Sequence, residues 1–165
     1  MSGIAGIIHF DGKPIEPGLI EKMTGAMAHR GPDGIHHWVK GSVALGQCLL
    51  NDSAGSLDAA QPLTRDGLVW IVADARIDAR QALLSDLRLA GRRLVDAATD
   101  VELILEAYAV FGDAFLHHLL GDFAFAIWDS RHAKLICARD HFGVRPLFYA
   151  KTNKSFFVTI QVQLA

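Results

Sequence analysis

The chain has 165 residues and a mass of 18.0 kDa, the size of one domain able to bury roughly 68–70% of the surface its unfolded form exposes. With 51% hydrophobic and 21% charged residues, it is excluded from the disordered and low-complexity classes. Sixteen basic against eighteen acidic side chains leave a formal charge of −2 with no run of either sign, so no nucleic-acid groove or anionic-membrane patch is expected, and small molecules are the expected ligands. The longest apolar stretches, Leu68 to Ala73 and Phe123 to Trp128, are too short to span a bilayer. The N-terminus lacks the charged start and apolar block of a signal peptide. Cys48 and Cys137 stand apart in apolar surroundings, as buried free thiols do, so a cytoplasmic location is expected.

In chain order, Ile4, Ile7, Ile8 and Phe10 with small Gly3, Ala5 and Gly6 predict a buried first strand ending at Asp11-Gly12-Lys13-Pro14. Leu19, Ile20, Met23 and Met27 predict an amphipathic helix from Pro17 to His29, stopped by the loop through Gly34. Strands are predicted at His36–Lys40, Ser42–Leu50 and Gly67–Ala73, separated by the turn-rich Asn51-Asp52-Ser53 and Gln61-Pro62. A helix follows from Ala79 to Ala90, ending at Gly91. Thr99-x-x-Glu102 reads as the capping box of another, with Val101, Ile104, Leu105 and Tyr108 on one face and Gly112 at its end. A short helix from Ala114 to Leu120 precedes strands at Asp122–Trp128, Leu135–Ala138, Leu147–Ala150 and Phe156–Ile160, the first two joined as a hairpin through Asp129-Ser130-Arg131-His132. Strands in two groups, with helices between and around them, predict an α+β fold of two packed antiparallel sheets covered by helices.

Six segments in order carry a resemblance. They are Met1-Ser2-Gly3-Ile4-Ala5-Gly6-Ile7, His29-Arg30-Gly31-Pro32-Asp33-Gly34, Gln61-Pro62-Leu63, Thr99-Asp100-x-Glu102, Gly121-x-Phe123-Ala124-Phe125-Ala126-x-Trp128-Asp129, and Ala138-Arg139-Asp140-x-Phe142-Gly143-Val144-Arg145-Pro146-Leu147-x-Tyr149. Together they resemble the glutaminase domain of asparagine synthetase-like proteins across nearly the whole chain. The resemblance implies the class II glutamine amidotransferase fold, an N-terminal-nucleophile (Ntn) hydrolase-like four-layer αββα sandwich of two antiparallel sheets. It also implies a mechanism in which Met1 is removed, the side chain of residue 2 attacks the glutamine amide, and the freed α-amine, which titrates near 7.7–8, serves as base. Ammonia then passes to an ATP-dependent synthetase domain. That domain is expected as a C-terminal partner or separate subunit. Residues 1–165 carry only the amidotransferase-like domain, and Phe156 to Ala165 resembles its end. No glycine-rich phosphate loop occurs, so no cofactor is expected here, ATP and magnesium belonging to the partner.

Several positions depart from the family pattern. Ser2 stands where the class has cysteine, and a hydroxyl supplies essentially no anion at neutral pH. The family's Asn-Gly-Glu, which supplies an amide and a backbone N–H to the oxyanion, aligns with Asp74-Ala75-Arg76. An ionised Asp74 accepts only, and loss of one such donor costs about 10²–10³ in rate. A strand-ending Asp74 paired with Arg76 or Arg80 is the structural alternative. Glutamine binding needs a cation for the carboxylate and an anion for the ammonium. Leu49 occupies the arginine position, Arg76 replaces the acid, and only Asp100 still matches the ammonium ligand, where it equally suits the first turn of a helix. Arg30 and Asp33 are expected to hold a turn near the site, and Arg139, Asp140 and Arg145 to form an internal ion-pair set. The pairs His36-His37 and His117-His118 lack metal-ligand spacing, so no metal is expected.

Two functions follow from these readings. One is a lapsed glutaminase kept as a structural and docking module of an amide-forming synthetase; the other is an active glutaminase using Ser2 for asparagine or related amide synthesis. The segment Asp74-Ala75-Arg76-Ile77-Asp78-x-Arg80 resembles β-lactam synthetases and lasso peptide ring-closing enzymes more than asparagine synthetases. Four changes against one reaction (Ser2, Leu49, Asp74, Arg76) favour the degenerate site. Glutamine is then a doubtful ligand, nucleic acid and membrane are not partners, and a homodimer stays open.

Overall fold

The computed structural model describes residues 1–51, 60–94 and 96–161, so that the predicted turn at Asn51-Asp52-Ser53 lies, from Asp52 onward, outside the described residues. The first sheet is built from β1 (Gly3–His9), β2 (Gly34–Lys40), β3 (Val43–Leu49), β8 (Phe148–Lys151) and β9 (Ser155–Thr159), in the order β2-β3-β1-β9-β8. The second contains β4 (Leu63–Thr64), β5 (Val69–Ile77), β6 (Gly121–Asp129) and β7 (Lys134–Arg139), in sequence order. Every neighbouring pair is antiparallel. Helix α1 (Leu19–Gly25) packs on β1 and β3, while α2 (Arg80–Leu89) and α3 (Asp100–Phe111) cover the second sheet, which completes four αββα layers.

The period-2 alternation of β6 explains the layering. Phe123, Phe125 and Ile127 enter the apolar cluster beneath α2 and α3, whereas Ala124, Ala126 and Trp128 enter the cluster shared with the first sheet. Toward the opposite sheet β6 thus presents two alanines and, at its end, Trp128, while Phe123, Phe125 and Ile127 fill the gap under the helices. Trp38 of β2 and Trp70 of β5 stack across the sandwich with centroids 4.7 Å apart.

Helix α3 begins with the predicted capping box: the Thr99 side chain accepts from the Glu102 backbone N–H, and the Glu102 carboxylate accepts in return from the Thr99 N–H at 2.7 Å. It ends at Gly112, whose φ of 54° suits a residue without Cβ. Burial extends beyond the predicted face to Leu103, Glu106 and Ala107.

The structure corrects several boundaries. The predicted helix from Pro17 to His29 is broken: α1 stops at Gly25, and a 3₁₀ turn spans Ala28–Arg30. The predicted helix from Ala114 to Leu120 is a 3₁₀ stretch at Gly112–His118. The first strand ends at His9 and leaves Phe10 exposed. β5 runs past Ala73 to Ile77, because β6 pairs with it along its whole length, so Asp74 lies inside a strand rather than ending one. Two-residue β4 has no alternation long enough to read. Its ladder is continued by a side chain: the Gln61 amide accepts from Ala73 N–H at 2.6 Å and donates to Ala73 C=O at 3.1 Å, and the Gln61 backbone N–H donates to Gln47 Oε1 of β3. Both cysteines are free, Cys48 buried and Cys137 half-buried, and burial raises both thiol pKa values, that of Cys137 to about 12. No helix among the described residues is long and apolar enough to cross a membrane.

Candidate active site

β1 is the central strand of the first sheet and pairs Gly3 with Cys48 of β3, which sets Ser2, just before β1, against the exit of β3. Ser2 is buried, and its Oγ accepts a hydrogen bond from the Leu50 backbone N–H at 3.2 Å. The loop from His29 to Gly34 is clasped to the same exit. Asp33 N–H donates to Leu49 C=O at 3.0 Å, and Asp33 Oδ2 accepts from Asn51 N–H at 2.7 Å, so the expected turn-holding role of Asp33 is seen. Gly31 is required there, since a Cβ would stand 2.3 Å from the Cys48 carbonyl oxygen.

Asp74 comes to Ser2 from the other sheet. Its carboxylate is buried and accepts from Arg145 Nη1 at 3.2 Å, so the predicted pairing with Arg76 or Arg80 is not formed. Loss of hydration holds the Asp74 carboxyl above its ordinary value, against the opposing pull of Arg145, the N-terminal ammonium, the Ser2 backbone N–H and Arg30. These groups make up the site. Arg30 reaches Gln161 Oε1 at 3.4 Å, and the Nε atoms of Arg30 and Arg145 are buried without a hydrogen-bond partner among the described residues.

The other sequence candidates diverge from this point. Leu49 is a buried apolar side chain at the end of β3. Ala75 points to the helix-covered face. Arg76 is exposed and paired with Asp78 at 2.9 Å. Asp100, the first residue of α3, spends one oxygen on the Ile77 backbone N–H at 3.0 Å and the other on Arg80 Nη1 at 2.6 Å, which ties α3 to the end of β5 and the start of α2 and leaves no free anion. The expected ion-pair set of Arg139, Asp140 and Arg145 is replaced by a different arrangement. Buried Asp140 accepts from the backbone N–H groups of Phe123, Phe142, Val144 and Arg145, which lowers its pKa and folds the loop that delivers Arg145 to Asp74. His37 bonds Thr24 Oγ1 at 2.7 Å, and His118 stacks on Phe111 with ring centroids 3.8 Å apart. No group of metal-ligating side chains is assembled among the described residues.

Chemically, the site offers a positioned hydroxyl and a carboxylate already neutralised by a guanidinium. With Met1 in place the nitrogen of Ser2 is an amide and no base; removal of Met1 makes it an amine titrating near 7.7–8. The Arg145 guanidinium pairs with Asp74 and not with Asp140, and neither Gln161 nor the Gln47–Gln61 bridge is among the residues the sequence singles out as site candidates. Arg145 and Gln61 lie in segments that carry the family resemblance, whereas Gln47 and Gln161 stand in no motif.

Comparison with known proteins places this geometry. The family described as "Glutamine amidotransferase domain" matches residues 1–163. Asparagine synthetase [glutamine-hydrolyzing] 3 of Bacillus subtilis is 29% identical over 99% of this chain and 27% of its own length. The amidase chyE of Penicillium rubens is 28% identical over 87% of this chain and 21% of its own. A putative asparagine synthetase of Mycobacterium bovis is 36% identical over 79% of this chain and 22% of its own. This chain thus spans about a quarter of the length of these relatives. Among solved structures, glutamine phosphoribosylpyrophosphate amidotransferase from B. subtilis superposes with a TM-score of 0.74 at 19% identity, over 96% of this chain and 41% of that one, which establishes the Ntn hydrolase-type fold. With the match running from Met1 nearly to the last residue, the chain belongs to the glutamine amidotransferase domain family, in the branch of asparagine synthetase-like proteins.

Proposed function

We propose that this is an amidotransferase domain whose glutaminase chemistry has lapsed and which serves as a structural and docking module of an ATP-dependent amide-forming synthetase. The observation that carries the reading is the Asp74–Arg145 pair. The family resemblance puts an amide donor where Asp74 stands. A carboxylate there accepts only, and the Arg145 guanidinium that bonds it is thereby engaged rather than free to meet an oxyanion. Glutamine would also meet Leu49 instead of a guanidinium at its carboxylate, and an Asp100 whose two oxygens are occupied. The lengths of the relatives support a synthetase partner.

A second reading, an active glutaminase with Ser2 as nucleophile and the freed amine as base, is favoured by one feature: Ser2 Oγ is held in place by Leu50 N–H beside the site. One experiment separates the two. Protein with its terminus verified by mass spectrometry is titrated calorimetrically with glutamine and glutamate and assayed for ammonia. The lapsed domain gives no binding heat, and its ammonia release matches that of Ser2→Ala. A saturable release abolished by Ser2→Ala establishes the active glutaminase instead.

A further inference from the structure

On the helix-covered side of the second sheet, away from Ser2, a cavity of about 460 Å³ opens between the start of β5, α3 and the chain following α2. Four guanidinium groups, Arg65, Arg92, Arg93 and Arg131, line it with two acids, Asp66 and Glu106. The lining charge is therefore four minus two, or +2. Buried Glu106 sets the geometry: one carboxylate oxygen takes Arg65 Nη1 and the other takes Arg92 Nε at 2.7 Å, which fixes the two arginines on either side of one anchor. Arg131 is held at 3.1 Å by Asp129, a fully buried acid behind the cavity, and lies 3.8 Å from Asp66. Counting Asp129 as well, the surplus is still +1. Arg93 has no acidic partner among the described residues.

We infer that this cavity binds a small phosphorylated molecule. The volume falls in the range of small-molecule pockets, and Leu105, Ala109 and the ring of Tyr108 supply an apolar floor for the part of the ligand that carries the phosphate. The forks of Arg65 and Arg92 left free by Glu106 are aimed by that buried anchor, so little of their side-chain entropy is lost on engaging an anion, and exposed Arg93 at the rim adds a third fork with no acid to compete for it among the described residues. A phosphoryl group offers three acceptor oxygens to these three forks, where a single carboxylate offers two.

The test uses the full chain, with calorimetry and thermal shift against pyrophosphate, inorganic phosphate and citrate. Pyrophosphate is expected to bind saturably and raise the melting temperature, inorganic phosphate more weakly. Arg92→Ala and Arg93→Ala should each weaken pyrophosphate about tenfold or more, and Lys40→Ala, an exposed cation on the first sheet, should leave it unchanged. Arg92→Ala frees a buried carboxylate and is open to misfolding; Arg93→Ala is not, and it keeps the outcome decisive. The inference fails if pyrophosphate gives neither heat nor shift, if Lys40→Ala weakens it as much as Arg93→Ala, or if citrate matches it. None of these outcomes depends on whether the Ser2 site turns over glutamine.

Discussion

Two buried aspartates show how environment decides the work a carboxylate does. Asp74 is held above its ordinary value by desolvation. The folded chain therefore holds the Asp74 proton more tightly than the unfolded chain, and its contribution to stability falls as pH rises from 3.8 through its folded value. Asp129 behaves oppositely. Although burial opposes it, hydrogen bonds from Arg131, His132 and Tyr108 hold its carboxyl below the usual carboxylate range, and the same contact helps push the Tyr108 hydroxyl up to about 12. Its stabilisation is complete above 3.8 and is lost as pH falls below that value. Asp129→Asn should cost about 2–3 kcal/mol at pH 7, the worth of hydrogen bonds to a charged group, and the deficit should shrink as pH falls below 4; urea unfolding across that range measures both. In the sequence Asp129 reads as a hairpin residue and Asp74 as the altered position of a motif. Arg131 and His132 lie in the hairpin turn beside Asp129, but Tyr108, 21 residues away, and Arg145, 71 residues from Asp74, are brought up by packing, which no local pattern encodes.

Elements with their own signals were legible. The capping box and Gly112 bound α3 correctly, and the alternation of β6 showed as a run of apolar residues because both of its faces are buried. Where a tertiary contact decides the boundary, the pattern was silent. β5 continues through Asp74-Ala75-Arg76 because β6 supplies hydrogen-bond partners as far as Ile77, and α1 stops early because the chain must turn to bring Gly31 against Cys48. That contact leaves no room for adjustment, since the atoms a Cβ would strike are backbone. Gly31→Ala is expected to displace the loop, lower stability by about 3 kcal/mol or more, and break the Asp33 clasp on Leu49 and Asn51. Thermal unfolding reads the first effect, and amide exchange at Asn51 reads the second.

At the scale of the whole chain, two apolar clusters meet in one sheet. One lies beneath α2 and α3, the other between the sheets and under α1, and β5 and β6 contribute alternate residues to both. A lesion on either face must therefore disturb the same two strands, which form the longest ladder among the described residues. The optical probes happen to divide between the clusters. Trp38, Trp70 and Trp128 all belong to the inter-sheet cluster, whereas α2 and α3, which hold most of the α-helix, cover the other. If β5 and β6 couple the clusters as their alternation implies, tryptophan fluorescence and far-ultraviolet dichroism will report one unfolding midpoint in urea. Phe125→Ala, which empties space only under the helices, will shift both signals together, at a cost of about 3–5 kcal/mol. Separate midpoints, or a Phe125→Ala shift confined to the dichroism, would mean that the helices and the sandwich are held as independent units.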